Sequence, residues 1–178
     1  MKTLTISKPD DFHLHLRDGA AMASIVNYSA AQFSRAIVMP NLKPAITTVD
    51  MALSYRERIL GSVDEKYNFE PLMTLYLTDN MLPDVINIAA QTESIKALKY
   101  YPAGATTNSD CGVTDIKKIY SVLEAMMKNK LPLLIHGEVS DIEVNVFDRE
   151  KVFLVEELST IIKNFPNLIL LLSILNLF

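Results

Sequence analysis

The sequence predicts a parallel α/β fold, and three observations lead there. Short apolar runs alternate with longer amphipathic stretches through the 178 residues, as they do when each strand is followed by a covering helix. The runs are nearly continuous in apolar character, the pattern of strands buried on both faces. Several of them also end in polar residues that a buried sheet would not hold without a task, and parallel α/β proteins place their sites at those ends.

The first strand is DFHLHLR, 11–17. Period-two geometry puts His13 and His15 on one face with Asp11 and Arg17, and Leu14 and Leu16 on the other. RAIVMPN (35–41) follows and closes on Asn41, and FEPLMTLYLT (69–78) is the third strand. SIKALKYY (94–101) carries Lys99, LPLLIHGE (131–138) carries His136, and NLILLLS (167–173) is the sixth. Between them, TTVDMALSYRERIL begins at a Thr/Asp cap and offers Val49, Leu53 and Ile59 to one helix face. VTDIKKIYSVLEAMMKNK sets Ile116, Ile119, Tyr120, Leu123 and Met126 at helical spacing and ends in lysines, which suit a helix C-terminus. DREKVFLVEELSTIIKNFP begins with acid and is stopped by Pro166, while 19–31 and 82–92 are weaker helices. The units recur every ~24 to 36 residues without repeat or linker. They make one domain, 1–178, either a doubly wound sheet or a (β/α)₈ barrel.

Composition narrows the classes. Apolar residues make 49% of the chain and charged residues 21%, with net charge −4 and no basic stripe, so nucleic acid is not an expected partner. The single cysteine, Cys111, excludes an internal disulfide and fits the cytoplasm. MKTLTISKPD lacks the apolar core of a signal peptide. The apolar tail LILLLSILNLF (168–178) is too short to cross a bilayer, which takes about 20 residues, so no membrane partner is expected. The tail is atypical of a chain end, which is usually polar.

All three histidines fall at strand ends. Taken alone, His136 reads as an ordinary hydrogen-bonded residue, Asn41 as a turn cap and Arg17 as a solvated rim charge. Two imidazoles at i, i+2 on one strand face are different, because they can converge on one metal ion, and the spacing suits zinc. A buried lysine at Lys99 costs free energy unless paired. It reads either as a snorkelling side chain or as a neutral amine open to carboxylation by carbon dioxide. No GxGxxG, P-loop or GxSxG is present.

Five stretches, in order, resemble the shorter bacterial type of dihydroorotase, a family of the metal-dependent amidohydrolase superfamily. They are PDDFHLHLRDG (9–19), RAIVMPNLKPAITT (35–48), LKYYPAGATTNSDCGV (98–113), LPLLIHGEV (131–139) and FDRE (147–150). The resemblance implies a (β/α)₈ barrel, and a zinc enzyme of pyrimidine synthesis that interconverts N-carbamoyl-L-aspartate and L-dihydroorotate. It implies His13 and His15 as ligands of one zinc, Lys99 as a carboxylated bridge between two, and His136 as a ligand of the second. Arg17 and Asn41 match residues that hold the substrate carboxylate, and Thr106 and Thr107 match a mobile loop that closes over it. A homodimer is consistent with the same family.

The pattern departs from the family near Asn167. The family's further histidine on strand six and its general-base aspartate on strand eight have no counterpart, so no catalytic residue is assigned within this chain. The expectation is a barrel cut short after about six strands, as a frameshifted or prematurely ended coding sequence would produce, and no turnover by the chain alone. A related cyclic amidohydrolase is the other enzymatic reading, and PNLKPAITT and YYPAGATTNS argue against it.

Overall fold

The computed structural model describes residues 3–174. Six strands form one all-parallel sheet in chain order: β1 (Asp10–Leu14), β2 (Arg35–Val38), β3 (Glu70–Tyr76), β4 (Ile95–Tyr100), β5 (Leu133–His136) and β6 (Leu170–Ile174). Each strand pairs only with its sequence neighbours, so the sheet has no point where the winding reverses. That sequential order belongs to a barrel wall and not to a doubly wound sheet. The fold is a (β/α) half-barrel of six strands. The expected apolar tail divides: Leu170–Ile174 forms β6, and residues 175–178 lie outside the described residues.

The crossovers are α1 (Gly19–Gln32), α2 (Val49–Leu60), α3 (Pro83–Gln91), α4 (Tyr120–Asn129), and the pair α5 (Arg149–Phe153) and α6 (Ser159–Asn164). Local chemistry sets their starts. The Asp18 carboxylate accepts from the Gly19 amide before α1, the Thr48 hydroxyl accepts from the Met51 amide before α2, and Pro83 opens α3. The buried face of α2 is Ala52, Tyr55 and Ile59, while Leu53, expected on that face, is only half-buried. A 3₁₀ turn, Ile116–Ile119, precedes α4. The single helix expected over 148–166 is interrupted by a π-helical turn, Leu154–Leu158, which inserts one extra residue into the turn.

Two apolar layers show how the sheet is used. Ala36, Val38, Met73, Leu75, Leu98, Tyr100, Leu133 and Ile135 join the helices in the large core, with Met22, Val26, Ile59, Ile86, Leu123 and Phe153 opposite. Alternate residues of the same strands, Ile37, Ala97 and Leu134, form a separate small cluster with Met39 and Leu72 on the other face. Helices therefore cover one face only, and the second face is the barrel interior. Side chains at the C-terminal ends of the strands on this interior face share one mouth.

Candidate metal and substrate site at the strand mouth

β1 ends at Leu14, one residue before the second histidine. A register shift between Asp11 and Leu14 pairs Asp11 with Ala36 and Leu14 with Val38, both residues of the helix-side core. The extra residue of the shift takes Asp11 off the histidine face, correcting the simple alternation expected for 11–17. The Asp11 carboxylate instead accepts from the His13 amide at 2.8 Å. His13 and His15 do converge: their Nε2 atoms stand 3.0 Å apart.

Asn41 sets the tautomer of His15. Its Oδ1, which can only accept, lies 2.9 Å from His15 Nδ1, so Nδ1 carries the proton and Nε2 keeps its lone pair toward His13. Burial, with the charges of His13 and Arg17, pushes His15 down to about 4, against the opposing Asn41 hydrogen bond. His15 is therefore neutral at pH 7.

Arg17 does not continue the strand. Its φ of 63° is left-handed, a conformation that costs a non-glycine residue ~1–2 kcal/mol. The buried Tyr55 hydroxyl donates to the Arg17 carbonyl at 2.6 Å and holds it there. The Arg17 side chain is exposed, and its charge acts on both His15 and Tyr101, which places it at the rim of the mouth.

Lys99 is fully buried, and burial pushes its amine down to about 7. Its Nζ lies 5.0 Å from the centre of the Tyr101 ring. His136, on β5, is buried too, and it is pushed down to about 4 by burial and by the charges of Lys99 and His13, against that of Glu150. Its Nε2 is 3.5 Å from Glu138 Oε2, too long for a good hydrogen bond and no ion pair while the ring is neutral. Neither ring nitrogen has a hydrogen-bond partner among the described residues.

Sequence reasoning missed Tyr101. Its hydroxyl is buried and without a hydrogen-bond partner among the described residues, and its ring stacks on Tyr76 at 5.1 Å and faces His136 at 5.9 Å. The signal was available: Tyr101 follows Lys99 by two, so period-two spacing puts both on one face, and β3 pairs Tyr76 with Lys99.

The loop after β4 packs against Asn41 and Tyr76. Ala103 donates to Val113 O and Val113 to Tyr101 O, pinning both loop ends. Gly112 approaches so tightly that a Cβ there would meet Tyr101 O at 2.4 Å. At the tip, the buried Ser109 hydroxyl donates to Thr106 O at 2.6 Å, and Asn41 Nδ2 donates to Thr107 O at 3.0 Å. Asn108 Nδ2 donates to the Asn41 carbonyl, and the Tyr76 hydroxyl to Asn108 O. Thr106 is half-buried and Thr107 exposed. Asn41, expected to face substrate, uses both ends of its amide within the protein.

The donor chemistry fits a metal ion in part. Two Nε2 atoms 3.0 Å apart can both lie ~2.0–2.1 Å from one zinc, and His136 offers two unsatisfied nitrogens nearby. Among the described residues no group of three or more His, Cys, Asp or Glu is arranged to hold an ion. Lys99 would enter such a set only after its amine gains an anionic group.

The fold and this mouth define a (β/α)-barrel protein with a nitrogen-rich centre at the strand C-termini. The chain is 57% identical over 168 residues to dihydroorotase of Microcystis aeruginosa, covering 94% of this chain and 49% of that one. It is also 57% identical over 166 residues to dihydroorotase of Delftia acidovorans, covering 93% and 48%. The Campylobacter jejuni dihydroorotase structure superposes with a TM-score of 0.83 at 39% identity, covering 92% of this chain and 46% of that one. The Saccharomyces cerevisiae dihydroorotase, solved with 5-fluoroorotic acid, gives 0.82 at 35% identity, covering 91% and 46%. No protein-family model matches. Over nearly its whole length the chain is similar to dihydroorotases, and it spans about half the length of the curated relatives it matches. Among the described residues no helix is long and apolar enough to cross a membrane.

Proposed function

We propose that this chain is the metal- and substrate-binding part of a zinc-dependent dihydroorotase, acting in pyrimidine synthesis on N-carbamoyl-L-aspartate and L-dihydroorotate. The observation that carries this reading is the 3.0 Å convergence of His13 and His15 Nε2, at a mouth shared with Lys99 and His136. His13 and His15 would hold one zinc, His136 would serve a second, and Lys99, carboxylated, would bridge them. Zinc, when bound, polarises the amide carbonyl and makes water a nucleophile at neutral pH.

The chain's own residues have separate tasks. Burial leaves much of Lys99 as the neutral amine at pH 7, the form that attacks carbon dioxide to give a carbamate and release a proton. Arg17 at the rim offers a two-pronged grip for a substrate carboxylate. Tyr101 can donate its unpaired hydroxyl to a bound ligand. The 103–112 loop, with Thr106 and Thr107 at its tip, excludes water from the mouth. With one cysteine and a small anionic substrate, the cytoplasm is the compartment we assign.

The sequence has three histidines, and this assignment uses them all. That count favours a second reading for the chain acting alone: it binds metal without turnover. Titrating zinc into the purified chain while assaying cyclisation of carbamoyl aspartate separates the readings. Zinc uptake that His13→Ala abolishes supports the site. Absence of uptake refutes it, and turnover by the chain alone refutes the second reading.

A further inference from the structure

We propose that Asn41 is a positioning residue that couples the 103–112 loop to the orientation of His15. The inference rests on the reading of His15 as a metal ligand, but its core is a hydrogen-bond geometry independent of any metal. Asn41 is 2% exposed, so its polar atoms have protein partners or none. Its side-chain oxygen accepts from His15 Nδ1 at 2.9 Å, its side-chain nitrogen donates to Thr107 O at 3.0 Å, and its main-chain carbonyl accepts from Asn108 Nδ2 at 3.0 Å.

An amide has one accepting and one donating end, so the two side-chain bonds fix each other. With the loop docked, Thr107 O demands the NH₂ at its side, which leaves the oxygen facing His15. That oxygen admits only the Nδ1–H tautomer and keeps the Nε2 lone pair on the side of His13. If the loop lifts, the demand on the NH₂ end ends. The amide is then free to rotate about its last bond and present NH₂ to His15, which stabilises the opposite tautomer and turns a proton toward His13. The imidazole's ability to accept a metal at Nε2 thus depends on the state of a loop whose contact residue, Thr107, lies 66 residues beyond Asn41 in sequence. Partners that orient a ligating histidine through its other nitrogen typically matter 10–100-fold in metal affinity.

Two substitutions take the two arms apart. Asn41→Asp keeps an acceptor for His15 Nδ1 but removes the donor to Thr107 O, whereas Asn41→Ala removes both. The full 178-residue chain, metal-free, would be followed by two-bond ¹⁵N–¹H NMR of its histidines and by hydrogen exchange across 103–112. The parent should show His15 protonated at Nδ1, with a protected loop. Asn41→Asp should keep that tautomer while loop exchange rises, and Asn41→Ala should lose the tautomer and raise exchange alike. Zinc affinity should fall ~10–100-fold in Asn41→Ala and by much less in Asn41→Asp. A parent with His15 protonated at Nε2 would overturn the proposal without any variant. So would an Asn41→Ala chain that keeps the Nδ1–H form, or an Asn41→Asp loop as protected as the parent's. A parent that shows the Nδ1–H form and the expected variant pattern but takes up no zinc would sink the metal reading and leave the coupling standing.

Discussion

Replacing Lys99 by methionine should stabilise the metal-free chain. The side chain is fully buried, and burial pushes its amine from 10.5 down to about 7. At ~1.36 kcal/mol for each tenfold change, that gap is about 5 kcal/mol set against the ammonium. The Tyr101 ring, 5.0 Å from Nζ, returns part of it. Methionine fills a similar volume without a charge, so a net gain of ~2–4 kcal/mol is expected near neutral pH. The sign with pH follows from proton counts. Between about 7 and 10.5 the unfolded chain holds the Lys99 proton and the folded chain does not, so parent stability rises with pH across that window. The variant lacks this rise. Its advantage should be full at pH 7 and below, and should close by ~10.5. Urea denaturation in bicarbonate-free buffer at pH 7 and pH 10 measures it. A variant less stable than the parent at pH 7, or a gap that does not narrow by pH 10, would refute the reasoning.

Three further outcomes are expected. Arg17→Lys keeps charge but loses the forked grip, so L-dihydroorotate should bind ~10–100-fold more weakly at unchanged zinc content, measured by calorimetry and metal analysis; unaltered binding removes Arg17 from the substrate role. Tyr101→Phe deletes a buried hydroxyl that has no partner among the described residues. Its stability should hold or rise by up to ~1 kcal/mol in thermal unfolding, and a clear loss would reveal a bond the hydroxyl makes. Acid should destabilise the metal-free chain between pH 6.5 and about 4, because unfolded His15 and His136 take up protons that the folded rings refuse. His136→Gln should flatten that limb by ~2–3 kcal/mol, and an unchanged limb would show that His136 is not held neutral.

Much of this was legible in the amino acids. All six strands lie within or overlap the apolar runs read for them, because a strand buried on both faces needs continuous apolar character. The histidine pair was legible too, although not its geometry. The register shift at Asp11–Leu14 depends on pairing with β2, and a single strand's periodicity carries no trace of its neighbour. Arg17 leaves the strand for a left-handed turn because Tyr55, 38 residues away, holds its carbonyl. The π turn at Leu154–Leu158 was hidden because one inserted residue barely alters a helical pattern. The second partner of Asn41, a loop carbonyl, is main chain, and no residue type announces it.

The chain-order sheet also bears on how this protein is made. Consecutive strands start 25 to 38 residues apart, and each pairs only with the strand before and after it. Each docking step therefore closes a loop of one unit's length, and loop-closure entropy grows so slowly that successive steps differ by well under ~1 kcal/mol. A ribosome emitting residues N-terminus first could add β3 to β1–β2, then β4, then β5, with no strand waiting for a distant partner. The mouth assembles in the same sequence, with the His13–His15 pair in place before Lys99 and His136 emerge.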